Sequence, residues 1–313
     1  MNKELHYHDV LLLPNKAVVN SRSEVDTSIT LGNFTFKLPV VPANMKTIID
    51  FNLAKWLCQN KYFYVMHRFG INIPEFIDQI RKVGPISISL GVNDDSKQIV
   101  KELASVELFP HYVTIDIAHG YCQKMQEMIG FIKKNCPNTF VIAGNVCTAE
   151  ATEALNDWGA DAVKCGIGSG LSCITKLQTG FSRPQFTAVL ECAKVSKVPI
   201  IADGGVLENG DIAKALVAGA KMVMAGGILA AFEESPGRKI IYPDGRIVKE
   251  YFGSASEHNK GAKEYVEGRK IELPFRGSIV DKYKELDQSL RSSISYAGGT
   301  NLDAFNSVKW IVQ

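Results

Sequence analysis

Short apolar segments alternate with amphipathic segments along most of the chain. The short segments are apolar on both faces, which is typical of strands in a parallel sheet that is covered on both sides. Most of them lead into polar or glycine-containing stretches, which indicates strands that end at loops. Eight such strands are predicted, over residues 38–44, 62–68, 86–92, 112–118, 139–145, 162–168, 199–205 and 222–227.

The segments between these strands carry apolar residues at helical spacing. Side chains at positions i, i+3, i+4 and i+7 lie on one face of a helix, so these stripes predict helices packed on the sheet. We interpret the stripes as core and give them no functional role. The stripes are Met125, Met128, Ile129 and Ile132; Phe186, Val189, Leu190 and Ala193; Ile212, Ala215, Leu216 and Gly219; and, near the end of the chain, Ile279, Tyr283, Leu286 and Leu290.

Strand–helix units that follow one another without a linker predict an α/β fold, a (β/α)8 TIM barrel. An open doubly wound sheet is the alternative, although it seldom carries eight such regular units. We expect a single barrel domain over residues 1–313. A charged, glycine-rich segment at about 231–277 interrupts the alternation. It predicts a hairpin with a long loop, inserted after the eighth strand as a lid.

Composition narrows the classes of function. Hydrophobic residues make up 46% and charged residues 22% of the 313 residues, which is usual for a globular protein with a sizeable core. The formal net charge of +2 gives no field that would gather nucleic acid or an anionic membrane. No apolar run is long enough to span a bilayer, and the N-terminal segment lacks the apolar stretch of a signal peptide. We therefore expect a cytoplasmic protein with no nucleic-acid or membrane partner.

One cysteine differs from the others in its surroundings. Seven cysteines are scattered without a CxxC pair, which indicates free thiols in a reducing compartment. Six of them fit small buried hydrophobic residues. Cys173 instead follows a strand end and a turn that contains Gly166, Gly168 and Gly170. Successive backbone N–H groups in such a turn can stabilise a thiolate, so a nucleophile and a buried thiol both remain open interpretations.

Two glycine pairs stand at the ends of the seventh and eighth predicted strands. They are Gly204–Gly205 and Gly226–Gly227. Barrels often bind phosphate at this place through backbone N–H groups. Asp203, directly before the first pair, can accept hydrogen bonds from a ribose diol. The alternative interpretation is two tight turns without a ligand.

Several longer motifs occur in the same order in a known family. The stretches "GIGSGLSCITK", "IADGG", "YFGSAS", "VEGRK" and "SSISYAGG" resemble those of the inosine-monophosphate dehydrogenases and guanosine-monophosphate reductases. The similarity extends from "SRSEVDT" to the C-terminal helix, and the short chain looks most like bacterial members of the reductase branch. The resemblance implies a barrel that converts GMP to IMP and ammonia with NADPH, through a thioimidate on Cys173, in purine nucleotide salvage.

The resemblance also implies roles for individual residues. Cys173 corresponds to the nucleophile, with Thr175 and Glu267 as its proton-transfer partners. The nucleotide-binding positions correspond to Asp203, Gly204, Gly205, Gly226, Gly227, Ser254, Ser256 and Gly268. The cofactor-binding positions correspond to Ser21, Arg22, Arg68, Asp116, Ile117, Ala118, Ser293, Ser295 and Tyr296. Ser21, Arg22 and residues 293–296 are expected to reach a neighbouring subunit's site, as in a homotetramer. The carbonyls of Gly168, Gly170 and Cys173 correspond to a site for a monovalent cation, K⁺.

Two residues of the glycine loop depart from the family pattern. Ser169 stands where the family usually has proline, and Leu171 stands where a side chain usually reaches the phosphate. These departures motivate one alternative, a nucleotide-binding pseudoenzyme. The other alternative is an IMP dehydrogenase without its regulatory subdomain. That enzyme would need an Arg-Tyr pair on a mobile flap, and the stretch between Ser254 and Glu267 contains none.

Overall fold

A curled parallel sheet of seven strands forms the centre of the protein. The computed structural model describes residues 3–260 and 266–313. Within them the central sheet has the order β4, β10, β9, β8, β7, β6, β5. The strand of this sheet that comes first in the chain, β4, therefore pairs with the one that comes last, β10. The strands are β1 (Val10–Leu12), β2 (Ile29–Leu31), β3 (Phe34–Phe36), β4 (Val40–Pro42), β5 (Ser87–Leu90), β6 (Tyr112–Asp116), β7 (Phe140–Val146), β8 (Ala162–Cys165), β9 (Ile200–Asp203), β10 (Met222–Ala225), β11 (Lys239–Ile241), β12 (Ile247–Phe252), β13 (Lys270–Pro274) and β14 (Trp310–Val312).

Helices follow most of the central strands and cover the outside of the sheet. Polar side chains begin several of them: the Asp50 carboxylate accepts the Leu53 N–H at 2.8 Å, and the Thr148 hydroxyl accepts the Ala151 N–H. The helices are α1 (Phe51–Gln59), α2 (Ile73–Ile80), α3 (Asp94–Ser105), α4 (Gln123–Asn135), α5 (Ala149–Asp157), α6 (Thr175–Thr179), α7 (Gln185–Val195), α8 (Asn209–Val217), α9 (Gly227–Ala230), α10 (Glu257–Lys260) and α11 (Ile279–Tyr296).

Seven of the eight predicted central strands are confirmed, and most are shorter than predicted. The prediction of a strand over 62–68 is wrong, because that segment joins the sheet through a single bridge from Met66 to Ile88. Met66 donates its N–H to Ser87 O and accepts the Ser89 N–H. The Ser87 N–H is directed to the Tyr64 hydroxyl rather than to a backbone carbonyl, so the ladder does not continue towards residue 62.

The two faces of the sheet bury two different apolar clusters. In β7, Val141 and Ala143 pack outward against the helices, whereas Ile142 points inward. The inward cluster includes Tyr112 and Met222 from other strands. This alternation follows from the pleat of a strand, whose successive side chains point to opposite faces. The helical stripes predicted from the sequence lie in the outer cluster almost without exception.

The segment at about 231–277 forms its own small sheet. Strands β11, β12 and β13 pair antiparallel in that order, so the predicted hairpin gains a third strand. The chain between β12 and β13 runs through α10 and residues 266–269, while residues 261–265 lie outside the described part of the chain. The predicted closing helix is confirmed as α11, and it packs against α8. Among the described residues, no helix combines the length and the apolar character that crossing a membrane would require.

Candidate active site

A cavity of about 830 Å³ opens at the carboxyl ends of the central strands. Its size lies in the range of about 300–1,000 Å³ that is usual for small-molecule sites. Residues after β4, β5, β6, β8, β9 and β10 line it, together with Asn145 near the end of β7, residues 68–69 and the segment between β12 and β13. The lining brings together these predicted site residues: Arg68, Asp116, Ile117, Ala118, Gly168, Gly170, Cys173, Thr175, Asp203, Gly204, Gly205, Gly226, Gly227, Ser254, Glu267 and Gly268.

The loop that carries Cys173 is held against the end of β9. A Cβ at Gly166 would lie 1.9 Å from the carbonyl oxygen of Asp203, and a Cβ at Gly168 would lie 2.4 Å from the Ser182 hydroxyl. Gly168 also has a φ of +78°, which favours glycine. Only residues without a side chain allow this close approach, so the glycines hold the loop beside Asp203.

A continuous hydrogen-bond chain leads from the thiol to a carboxylate. Cys173 Sγ donates to Thr175 Oγ1 at 3.1 Å, and Thr175 Oγ1 donates to Glu267 Oε2 at 2.6 Å. Both residues line the cavity, and Thr175 is buried whereas Cys173 is half-buried, so the thiol is the more exposed of the two groups. This arrangement can move a proton between a group in the cavity and the carboxylate.

Backbone pairing brings the carboxylate to the thiol from a distant part of the chain. The Ile174 N–H donates to Glu267 O at 2.8 Å, and the Arg269 N–H donates to Ser172 O at 2.9 Å. Cys173 and Gly268 therefore face each other in an antiparallel bridge. The register of this short pairing places the Glu267 side chain over Thr175.

Ser256 lies behind this pairing rather than in the cavity. Its backbone bridges to Gly268, its side chain is fully buried, and its Oγ accepts the Asn259 N–H. Its position supports the backbone at Gly268, and its predicted contact with the nucleotide stays a prediction. Ser254, two residues earlier, lines the cavity directly.

The second glycine pair lies beside two large side chains. A Cβ at Gly226 would lie 2.7 Å from the Tyr251 hydroxyl, and a Cβ at Gly227 would lie 2.7 Å from the Leu171 side chain. Burial raises the pKa of Tyr251 to about 12, while a hydrogen bond with Ser172 opposes this rise, so the hydroxyl remains a donor at neutral pH. Tyr251 was not predicted from the sequence.

An alternating set of charges crosses the floor of the cavity. Lys164 Nζ donates to Asp116 Oδ1 at 2.8 Å and to Asp203 Oδ2. Asn44 donates to Asp116 Oδ2 at 2.7 Å, and Asn145 donates to Asp203 Oδ2 at 2.9 Å. Sequence reasoning missed Lys164, whose only signal was a lysine within the apolar stretch "AVKCGIG".

The predicted cofactor residues fall into two groups. Arg68, Asp116, Ile117 and Ala118 line the cavity. Burial lowers the pKa of Arg68, although Asp116 opposes this effect, and its Nη1 is buried without a hydrogen-bond partner in the described chain. Such a guanidinium can hold an anionic or polar ligand group.

The other predicted cofactor residues are absent from the cavity lining. The Ser21 side chain accepts the Ser23 N–H at the start of a 3₁₀ helix, Arg22–Glu24, which packs against α11. Tyr296, at the end of α11, is 61% exposed. The members of this group are Ser21, Arg22, Ser293, Ser295 and Tyr296. Their predicted contact with a neighbouring subunit's site stays a prediction.

The carbonyl groups predicted to bind a cation belong to the same loop as the thiol. Gly168, Gly170 and Cys173 all line the cavity. Gly170 O accepts the Cys173 N–H at 3.0 Å, so one lone pair of that oxygen is used within the loop. The cation itself stays a prediction. All seven cysteines are free thiols, as the sequence predicted.

The fold and this site belong to a known class. The family model described as "IMP dehydrogenase / GMP reductase domain" matches residues 4–313, and the chain is a member of that family. A GMP reductase of Lactococcus lactis subsp. cremoris is 52% identical over 316 aligned residues, which cover 100% of this chain and 96% of the relative. A GMP reductase of Bacillus subtilis (strain 168) is 53% identical, with 100% and 97% covered. A GMP reductase of Bacillus anthracis is 52% identical, with 100% and 96% covered.

Proposed function

We propose that this protein is a GMP reductase, which converts GMP to IMP and ammonia with NADPH as the reductant. The hydrogen-bond chain from Cys173 through Thr175 to Glu267 carries the proposal. It joins a nucleophile to a carboxylate through a hydroxyl, inside a cavity with room for a nucleotide. A pseudoenzyme would have no use for all three groups. Relatives named GMP reductase match over the full chain, which supports the same activity.

The cavity offers separate contacts for each part of GMP. Asp203 has one carboxylate oxygen, Oδ1, without a partner in the described chain, and this oxygen can accept hydrogen bonds from the ribose. The backbone at Gly204–Gly205 and Gly226–Gly227 can hold the phosphate. The purine would then lie over Cys173 and beside Gly268. With the phosphate and ribose held at the sheet, the ring edge faces the thiol.

The chemistry follows from these positions. The Cys173 thiol passes its proton through Thr175 to Glu267, and the thiolate adds to C2 of the purine, so an Sγ–C2 bond forms while the C2=N3 π bond opens. The exocyclic C2–N bond then breaks, and the nitrogen leaves as ammonia after it receives a proton from Thr175, which Glu267 replenishes. NADPH, held by Arg68 and the loop at residues 116–118, would supply the hydride that C2 of the resulting thioimidate needs. The Sγ–C2 bond breaks last, which releases IMP and restores the thiolate.

The cofactor half of the cavity fits a nicotinamide nucleotide in its polar groups. Arg68 presents a buried Nη1 without a partner among the described residues, and the loop at Asp116–Ala118 adds backbone groups beside it. Here Arg68 binds and orients the reductant, and the negative charge of Asp116 opposes the effect of burial on the pKa of the guanidinium.

The proposal includes an assembly and an ion. Ser21, Arg22, Ser293, Ser295 and Tyr296 serve the cavity of a neighbouring subunit in a homotetramer. K⁺ binds the carbonyls of Gly168, Gly170 and Cys173, and the protein works in the cytoplasm. Segment 62–68 fills the gap between β4 and β5 and completes a (β/α)8 barrel, and the segment at 231–277 acts as a lid over the cavity.

A single assay tests the activity. Purified protein is mixed with GMP and NADPH, and the near-ultraviolet absorbance of the reduced nicotinamide is followed. We expect this absorbance to fall with release of IMP and ammonia. A rise with IMP and NAD⁺, together with no reaction of GMP, would identify a dehydrogenase. No reaction in either mixture, despite measurable nucleotide binding, would identify a pseudoenzyme.

A further inference from the structure

We propose that Lys164 is a positioning residue that aims two carboxylates at the two ligands, Asp203 at the nucleotide and Asp116 at the cofactor side. This inference rests on the proposed function and extends it to a residue outside the cavity lining. Lys164 is 1% exposed, and its ammonium bonds both carboxylates at once. It is therefore placed to influence both halves of the cavity without touching either ligand.

The strand register explains how one lysine reaches both partners. Asp116 on β6 and Lys164 on β8 both stand opposite Gly144 of the strand between them. A Cβ at Gly144 would lie 2.6 Å from the Lys164 Cβ, so only the missing side chain lets the lysine cross over to Asp116. On the other side Lys164 stands opposite Ile201. Asp203 is two residues further along and points to the same face.

The charges show how Lys164 and Asp116 affect each other. Burial alone would raise the pKa of Asp116, but Lys164 and Arg68 more than offset this, so the pKa is lowered. Burial alone would lower the pKa of Lys164, but the two carboxylates more than offset this effect, so the pKa is raised. Without the ammonium, the Asp116 and Asp203 carboxylates would share a partly buried site with no cation between them, and their like charges would repel each other.

The hydrogen bonds show how Asp203 is aimed. Lys164 and Asn145 both donate to Oδ2 of Asp203, which leaves Oδ1 as the acceptor for a ligand. Asp116 is held on both oxygens, by Lys164 on Oδ1 and by Asn44 on Oδ2. Each amide orients one carboxylate, whereas the lysine donates to both of them.

The test compares Lys164→Met and Lys164→Arg with the wild type. Steady-state kinetics give kcat and the KM of each substrate, and calorimetry gives the Kd of GMP. Because hydrogen bonds to charged groups are among the stronger ones, we expect Lys164→Met to raise both KM values and the GMP Kd by at least about tenfold. Lys164→Arg should recover part of the loss. An Asp203→Ala chain, in contrast, should raise the KM of GMP much more than that of NADPH.

A double variant separates positioning from folding. Lys164→Met combined with Asp116→Asn removes one cation and one anion, so it restores the charge balance of the buried group and is expected to restore the melting temperature. The GMP Kd should stay raised, because Asp203 then lacks one of its two donors on Oδ2. Lys282→Met is the matched control, since Lys282 is also buried and pairs with Glu285 away from the cavity. It should leave both KM values unchanged.

Two results would overturn the inference. One is a GMP Kd within twofold of the wild type in the folded double variant, and the other is a rise confined to one substrate in Lys164→Met. Failure of the proposed function would appear in the activity assay of the wild type, which would bind GMP without reducing it. The comparison of Kd values between variants still stands in that case.

Discussion

Replacing Glu267 by glutamine tests the proposed proton path most directly. Glu267 Oε2 accepts the Thr175 hydroxyl at 2.6 Å, and that hydroxyl accepts from the Cys173 thiol at 3.1 Å. Glutamine keeps the size and can accept the same bond, but it supplies no proton. General-acid help is worth about 10²–10⁴-fold, which corresponds to about 2.7–5.4 kcal/mol of barrier. We expect turnover of GMP to fall by that factor. The Kd of GMP should change by less than about tenfold, because the ribose and phosphate contacts lie elsewhere.

Two measurements distinguish this role from general damage. Loss of NADPH absorbance reports the full reaction, whereas hydride transfer from IMP to NADP⁺ involves no departing ammonia and should fall much less. Glu257→Gln is the matched control, because Glu257 is an exposed carboxylate on α10; its rates should equal those of the wild type. Normal turnover of GMP by Glu267→Gln would refute the proton path. An equal loss in both reactions would refute it too, because the defect would then not concern ammonia.

Four further predictions follow from the same geometry. Cys173→Ser should fold, bind GMP and lose at least about 10³-fold in turnover, whereas Cys58→Ala should keep it; activity of Cys173→Ser within tenfold of wild type would exclude a covalent step. Asp203→Ala should raise the KM of GMP more than that of NADPH, and equal use of guanosine and GMP would disprove the phosphate site. Leu171→Ser should tighten GMP binding a few-fold in calorimetry while it lowers the melting temperature, because a packed side chain is lost; unchanged affinity would mean that the phosphate is already fully held. Burial, assisted by the Lys46 charge, lowers the pKa of His67 to about 4. Its unfolded value near 6.5 means that the unfolded state takes up the proton first, so this residue should cost about 2 kcal/mol of stability at about pH 5 relative to pH 8. In urea unfolding, the free energy of unfolding of His67→Gln should fall less between pH 8 and pH 5 than that of the wild type, by about 2 kcal/mol. An identical pH dependence of the two proteins would contradict this prediction.

The strand pattern was predictable because strands buried on both faces need apolar side chains at every position. That rule identified β8 as a strand. It gave no reason to assign a role to Lys164, which stands as a single charged residue in an apolar run. Its partners are 48 and 39 positions away in the chain. Only the register across Gly144 brings Lys164 and Asp116 together, and local periodicity carries no information on register.

The proton path shows a similar limit. Thr175 and Glu267 are 92 positions apart, and their pairing was expected from the resemblance rather than from spacing. The predicted strand over 62–68 failed for a local reason, because the hydroxyl of Tyr64 takes the N–H that a ladder would use. Apolar composition predicts burial well, but it does not predict which donor a buried N–H will find.

The nucleophile and the acid are anchored by different parts of the molecule, and this separates two steps of the chemistry. The Cys173 loop rests on the central sheet, because Gly166 closes directly onto the Asp203 carbonyl. Glu267 reaches Thr175 only through the short backbone pairing that includes the Ile174 N–H. A disturbance of that pairing would remove the acid, whereas the start of the Cys173 loop would still rest on the Asp203 carbonyl through Gly166. Addition of the thiolate to the purine can therefore persist when ammonia loss fails, since the first depends on the sheet and the second on the segment between β12 and β13.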